Sequence, residues 1–276
     1  MRTFITAEIG INHNGDIKIA RQLIDLAKRC GCQAVKFQKR TVNIVYPESV
    51  LNTPRESPWG TTTRQQKEGL EFGRAQYQEI DRYCRETGIE WFASAWDVES
   101  QQFLRQFNLR HNKVASAMLT HLKFLEMVAS ERKPTFISTG MCEWEQLDKA
   151  VAIFHKHECP FTLMHAISVY PCPEEDLNLA LIPVLRERYS VPVGYSGHEV
   201  SPIPSIIAVA MGAVAVERHI TLDRAMYGSD QAASLEERGL EIMVKGIRAC
   251  EAARGSGQKT FSATERAVAK KLRYWE

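Results

Sequence analysis

Residues 192–219 read PVGYSGHEVSPIPSIIAVAMGAVAVERH. A short apolar run at 192–195 is followed by a segment of helical spacing at 202–211. A second short apolar run, at 213–217, completes the repeat. Runs this short are strand-sized, whereas the segment between them is long enough for a helix. The unit is therefore strand, helix, strand, and a histidine, His198 or His219, closes each apolar run.

Working outward, the same alternation fills the chain. Strands are expected at 3–11, 34–38, 90–94, 113–116, 134–138 and 161–165, and helices at 17–30, 76–87, 99–107, 119–130, 144–157, 175–188 and 235–253. Ile17, Ala20, Ile24 and Ala27 share one helical face, and Gly31 is placed to stop that helix. Leu147, Val151 and Phe154 repeat the pattern, as do Leu240, Val244 and Ile247. Eight strand–helix units in about 250 residues predict a single-domain α/β fold, a (β/α)8 TIM barrel over 1–256, with a tail at 257–276. An open doubly wound sheet more often carries five or six units and a glycine-rich first turn. Neither GxGxxG nor GxxxxGK[ST] occurs, so nucleotide-cradling loops lack support. The one long irregular stretch, 46–69, follows the second strand on the face where barrel active sites form, and reads as a lid.

Composition narrows the function. The chain has 276 residues, 44% hydrophobic and 25% charged, which is ordinary for a globular protein. Its net charge of +2 is too balanced to argue for nucleic acid or a membrane surface. No apolar run reaches the ~18 residues of a membrane span, and residues 1–15 do not read as a secretion signal. Seven scattered cysteines without a CxxC pair read as reduced thiols in a cytoplasmic protein.

In a barrel, polar residues at the C-terminal ends of the strands face the active site. Here they are Glu8 and Asn12, Lys36 and Gln38, Ser94, Lys113 and Ser116, Ser138 and Thr139, His165 and Ser168, Ser196 and His198, and Glu217 and His219. His198 and His219 stand one repeat apart, so their imidazoles can converge. With a carboxylate such as Glu8 they suit Mn²⁺ or Mg²⁺; the alternative is a pair of hydrogen-bonded core histidines. The other histidines read as surface or packing residues, and Trp96, Trp144 and Cys142 as packing. Lys36 and Lys113 inside a barrel need a reason, because an unpaired buried ammonium is costly. Either they clamp an anion or one of them forms a Schiff base. The surrounding serines favour the clamp, since hydroxyls complete an oxygen shell.

The motifs AEIGINHNGD, AVKFQK, KVAS, ISTGM, HAISVYPCP, GYSGH and ERHIT resemble, in order and interval, those of the sialic acid synthase family, over about residues 3–250. That resemblance implies a TIM barrel that condenses phosphoenolpyruvate with an N-acylated hexosamine such as N-acetylmannosamine. It implies one divalent ion, Mn²⁺ or Mg²⁺, on His198 and His219, with Glu8 near the ion and its water. It implies a phosphoenolpyruvate clamp of Lys36, Ser94, Lys113, Ser116, Ser138, Ser168 and Ser196, and sugar contacts from Gln38, Tyr170 and Asp230. Glu8, Lys36 and Lys113 are the expected catalytic residues.

The chain also departs from the family. Met118 stands where members often carry a carboxylate, and YGSDQAASLE lacks the family's proline while keeping Asp230. Family members usually continue into an antifreeze-like domain that reaches across a dimer, so this chain reads as a short form. A homodimer, or a separate chain carrying the capping domain, is the partner that the resemblance implies. Two rival readings follow: the same reaction on a different aldose, or a catalytically weak barrel that needs a partner.

Overall fold

Asp16 starts the first helix: its carboxylate accepts from the Lys18 amide at 2.7 Å. Gly31 ends it in the left-handed region at φ 88°. Between them Ala20, Leu23, Ile24 and Ala27 are buried, and each larger side chain of that face contributes roughly 1.5–3 kcal/mol. This is helix α1 (Ile17–Cys30), between strands β1 (Phe4–Gly10) and β2 (Ala34–Lys39).

The computed structural model describes residues 2–275. After β2 the chain makes an excursion through α2 (Val42–Val45), α3 (Glu48–Leu51), β3 (Pro54–Ser57), β4 (Gly60–Thr62) and α4 (Thr63–Leu70). Regular alternation then resumes with α5 (Arg74–Thr87), β5 (Glu90–Ala95), α6 (Val98–Leu104), β6 (Asn112–Val114), α7 (Leu122–Ser130), β7 (Thr135–Ser138) and α8 (Trp144–Lys156). It continues with β8 (Phe161–Ala166), α9 (Leu181–Tyr189), β9 (Val193–Gly197), α10 (Ile203–Ala210), β10 (Ala215–His219), α11 (Glu237–Ala253) and α12 (Ala263–Leu272).

Strands β1, β2 and β5 to β10 close into one parallel barrel, with β10 pairing back onto β1. The predicted TIM barrel is thus the observed fold. Closure leaves its strands without a free edge. Register sets the chemistry: Glu8 lies level with Lys36 on one side and His219 on the other, Ser94 with Gln38 and Lys113, and Glu217 with Ser196. Because strand side chains alternate, Ile5, Ala7 and Ile9 are buried among the helices while Glu8 faces inward.

Three expectations need correction. The stretch 46–69 is not irregular. Thr62 and Gln65 form a reciprocal cap that starts α4. The excursion also packs onto the β1–α1 loop, so closely that a Cβ on Gly15 falls 2.0 Å from the Gly69 carbonyl oxygen. The fourth expected strand, 113–116, ends earlier: Ser116 opens a 3-10 turn and α7 starts only at Leu122, where His121 accepts from the Phe124 amide at 3.2 Å. The helix expected at 175–188 starts at Leu181, because Asn178 sits at φ 45° and interrupts the turn. The tail at 257–276 contains α12, whose Ser262 and Glu265 cap each other's backbone. All seven cysteines are free.

His13 is buried against Phe72, ring centroids 3.9 Å apart, and its Nδ1 accepts from the Gly15 amide at 3.1 Å. Burial lowers its pKa to about 3, with Arg40 adding to the effect and a backbone hydrogen bond to Gly10 opposing it. The unfolded chain therefore binds a proton at this position between about pH 6.5 and 3 that the folded chain does not, so acidification through that window costs stability. His13→Gln is expected to remove about one proton from the pH slope of unfolding free energy, up to about 1.4 kcal/mol per pH unit. Urea unfolding at pH 7 and pH 5 measures it, and an unchanged slope rejects the assignment.

Candidate active site

One cavity of about 160 Å³ opens at the C-terminal mouth of the barrel. It is lined by Glu8, Lys36, Gln38, Ser94, Lys113, Ser116, Ser138, Ser168, Tyr170, Ser196, His198 and His219, so twelve of the thirteen expected site residues meet there. Asp230 does not line it. It borders a second, outer chamber that shares Gln38, Trp96 and Tyr170 with the first. Asn12 is instead committed to structure, donating to the Ile220 carbonyl and the Ser234 hydroxyl. His165, which donates from Nε2 to the Leu177 carbonyl at 2.7 Å, is likewise a packing residue.

The lysines are not free cations. Lys36 Nζ lies 2.9 Å from Glu8 Oε2 and 3.4 Å from Glu217 Oε1, and Lys113 Nζ lies 3.1 Å from Glu217 Oε2. All four side chains are nearly inaccessible. Burial alone raises the Glu217 pKa, but Lys113 and then Lys36 outweigh it and hold the carboxyl at about 2. Burial likewise opposes the Lys36 ammonium, and Glu217 and Glu8 overcome it, so its pKa rises. Lys113 is pulled down by burial and by Lys36, with Glu217 opposing. The result is two ammonium groups and two carboxylates in one buried lattice. Glu8 is tied further, accepting from Gln38 Nε2 at 2.9 Å.

The serines come from different strand ends and need backbone clearance. Gly140 provides it: a Cβ there falls 2.5 Å from Ser168 Oγ and 2.8 Å from Ser116 Oγ. Its amide donates to Ser116 Oγ at 3.2 Å. Met118, in place of the expected carboxylate, is buried in the core, and Ala117 faces the cavity at that point.

The two histidines converge, ring centroids 5.6 Å apart. His198 donates from Nδ1 to the Ile167 carbonyl at 2.6 Å, which leaves Nε2 as an acceptor, here taking the Tyr170 hydroxyl at 2.8 Å. Burial, then the His219 ring, lowers the His198 pKa to about 3, so the imidazole is neutral. His219 Nδ1 is buried without a hydrogen-bond partner. A neutral imidazole oriented through its other nitrogen, beside an orphaned ring nitrogen, is the donor chemistry a divalent first-row ion takes. The pair fits two positions of such an ion. Among the described residues no three of His, Cys, Asp and Glu group as a metal site; Glu8 meets Lys36 and Gln38.

Sequence reasoning gave no role to several lining residues. Glu217 was a strand-end residue without a role, although a carboxylate inside an apolar strand signals a buried counter-charge. Trp96 read as packing, yet it borders both chambers, and Arg40 borders the outer one. Both follow strand ends, where the signal was available.

A larger groove, about 690 Å³, lies at the opposite rim around Ile89, Glu90 and Arg110. That end of a barrel serves stability. Among the described residues, no helix is long and apolar enough to cross a membrane.

Residues 23–259 match the NeuB family model. The chain is 38% identical to human N-acetylneuraminate-9-phosphate synthase over 272 residues, 98% of this chain and 76% of that one. It is 31% identical to the N,N'-diacetyllegionaminic acid synthase of Legionella pneumophila, over 96% of this chain and 77% of that one. Among solved structures, the N-acetylneuraminic acid synthetase from Leptospira borgpetersenii superposes with a TM-score of 0.87 at 29% identity, covering 99% of this chain and 93% of that one. A truncated 3-deoxy-D-arabino-heptulosonate 7-phosphate synthase from Thermotoga maritima shares the fold, with a TM-score of 0.70 at 12% identity.

Proposed function

The chain belongs to the NeuB family, and on that premise we propose that it condenses phosphoenolpyruvate with the aldehyde of an N-acylated hexosamine, giving a nonulosonic acid and phosphate. The observation that carries this reading is Lys36 and Lys113 flanking Glu217 at the base of a serine-lined cavity whose rim holds His198 and His219.

Lys36 and Lys113 hold the carboxylate and phosphate of the enol phosphate, with Ser94, Ser116, Ser138, Ser168 and Ser196 completing the oxygen shell. Fixing both groups aims the enol face at the acceptor, and such positioning accounts for much of the acceleration. The lattice of two ammonium groups and two carboxylates is itself close to neutral, so a trianionic substrate needs further positive charge. His198 and His219 are the residues that hold a divalent ion, Mn²⁺ or Mg²⁺. When bound, that ion supplies positive charge and polarises the acceptor's aldehyde oxygen. Gln38 and Tyr170 border both chambers and orient the acceptor between them.

The enol carbon bonds to the aldehyde carbon, whose oxygen takes a proton. Water adds to the resulting cationic C2 and gives up a proton to Glu8, beside Lys36. The C2 hydroxyl of the tetrahedral intermediate then loses its remaining proton and becomes the keto group as the C2–O bond to phosphate breaks; of water's two protons, one replaces that taken by the former aldehyde oxygen and the other leaves on the phosphate.

The test is mass spectrometry of the product after incubation with phosphoenolpyruvate, Mn²⁺ and N-acylhexosamine acceptors, with phosphate release followed in parallel. Expected is a 2-keto-3-deoxy acid three carbons longer than its acceptor, with one phosphate released per product. Absence of phosphate release with every N-acylhexosamine overturns the reading. Turnover of other aldoses in their place supports the same reaction on a different acceptor.

A further inference from the structure

Strand side chains alternate, so Glu217 and His219 line the cavity while Arg218, between them, points out toward the helices. There Arg218 is fully buried against Glu199, which is fully buried too. Arg218 Nη1 lies 2.7 Å from Glu199 Oε1, 2.9 Å from the Ser201 carbonyl and 3.1 Å from Ser205 Oγ on α10. Its Nη2 donates to the backbone carbonyl of Glu199. The other Glu199 oxygen accepts from the Tyr195 hydroxyl at 2.8 Å. Glu199 folds back along β9 to make these contacts, and Gly197 leaves the room. A Cβ there falls 2.5 Å from Glu199 Oε2 and 2.6 Å from Tyr195 Cε1.

Stability does not explain such a pair. Apolar side chains of similar volume often serve a buried position as well or better, and Arg218 Nε is buried without a hydrogen-bond partner. Its place in the barrel suggests another use. The β9–β10 ladder ends where Arg218 lies level with Gly197, and the β8–β9 ladder ends at Ser196. His198 therefore stands past the last rung on both sides of its strand. His219 is still held on one side, level with Glu8 on β1. Backbone pairing between β9 and β10 thus does not set the distance between the two rings. Past the rungs, the His198 carbonyl takes the Cys172 amide at 3.0 Å, and the next residue is Glu199 in the grip of Arg218. Each member of the ion pair is the chain neighbour of one histidine.

We propose that the Arg218 fork on Glu199 positions His198 against His219, setting the spacing at which the two rings share one divalent ion. This rests on the reading of those rings as ion holders in the condensation above. A fork that grips the carboxylate and the carbonyl of one residue fixes the path of the chain there, which a single point charge does not.

The double variant Arg218→Met/Glu199→Leu removes both charges, so neither is stranded, and its thermal unfolding midpoint is expected to change little. Its Kd for Mn²⁺, followed by electron paramagnetic resonance without substrates, is expected to rise about tenfold or more, the scale on which partners behind ligating histidines act. Arg218→Lys keeps a charge on Glu199 without the fork, and its Kd is expected to lie between. Raised Mn²⁺ is expected to restore turnover in both variants at an unchanged KM for phosphoenolpyruvate, whose clamp lies elsewhere. A purely structural pair would instead shift the unfolding midpoint and leave the Mn²⁺ Kd alone. Crystal structures of wild type and variants follow the ring separation, 5.6 Å in this structure. Wild-type affinity with wild-type ring separation in either folded variant overturns the proposal, and Arg218→Lys decides it where the double variant does not fold. A wild type that binds no Mn²⁺ sinks the ion reading instead, and the ring separation then decides the positioning role by itself.

Discussion

Glu217→Leu is expected to lower the unfolding free energy by about 3–5 kcal/mol, the cost of stranding buried charge. Glu217 is the shared counter-charge of two buried ammonium groups, at 3.4 Å from Lys36 and 3.1 Å from Lys113. Without it Lys36 keeps Glu8, but Lys113 keeps nothing within ion-pair range among the described residues. Adding Lys113→Met to the same chain removes the stranded charge and is expected to recover more than half of the loss. Urea unfolding of wild type, both single variants and the double variant forms a cycle that isolates the pair. A loss below about 1 kcal/mol for Glu217→Leu, or no recovery in the double variant, rejects the charge lattice. Lys113→Met alone is expected to raise the KM for phosphoenolpyruvate more than that for the acceptor, since the clamp touches only the former.

His198→Ala and His219→Ala are each expected to lower kcat/KM on the order of 10³-fold or more, the scale of several kcal/mol of Lewis-acid stabilisation. Binding of Mn²⁺, followed by its electron paramagnetic resonance signal, is expected to weaken in both variants, while the thermal unfolding midpoint changes little. His219 Nδ1 has no hydrogen-bond partner to lose. His198 loses one bond to the Ile167 carbonyl and one from Tyr170, so its variant is the more sensitive check on the fold. Wild-type Mn²⁺ affinity in either variant defeats the metal assignment and returns both residues to the core-histidine reading.

The barrel was legible because its signals are local. The helix expected at 17–30 has those bounds, since Asp16, the buried face and Gly31 all lie within one segment. Boundaries failed where a distant partner or a local left-handed residue intervened. Ser116 left its expected strand because its hydroxyl meets the Gly140 amide, 24 positions away. Asn178 broke a helix through its own left-handed backbone. The 46–69 segment lacks long apolar periodicity; the Thr62–Gln65 cap, the Arg64–Glu48 ion pair and the close approach of Gly69 to Gly15 order it instead.

Most site residues were legible for a related reason. In a (β/α)8 barrel the strand ends converge whatever the rest of the chain does, so the positions of His198, His219, Lys36 and Lys113 follow from strand periodicity alone. Their state did not follow. Glu217 neutralises Lys36 across 181 positions of sequence, and Arg40 and Lys67 reach one chamber from a strand end and an excursion helix. Alternating polarity encodes which face a side chain takes, because that depends on neighbours one or two residues away. Which charges end up compensated depends on through-space distances of a few ångströms in a low-dielectric interior, and only the closed barrel sets those distances.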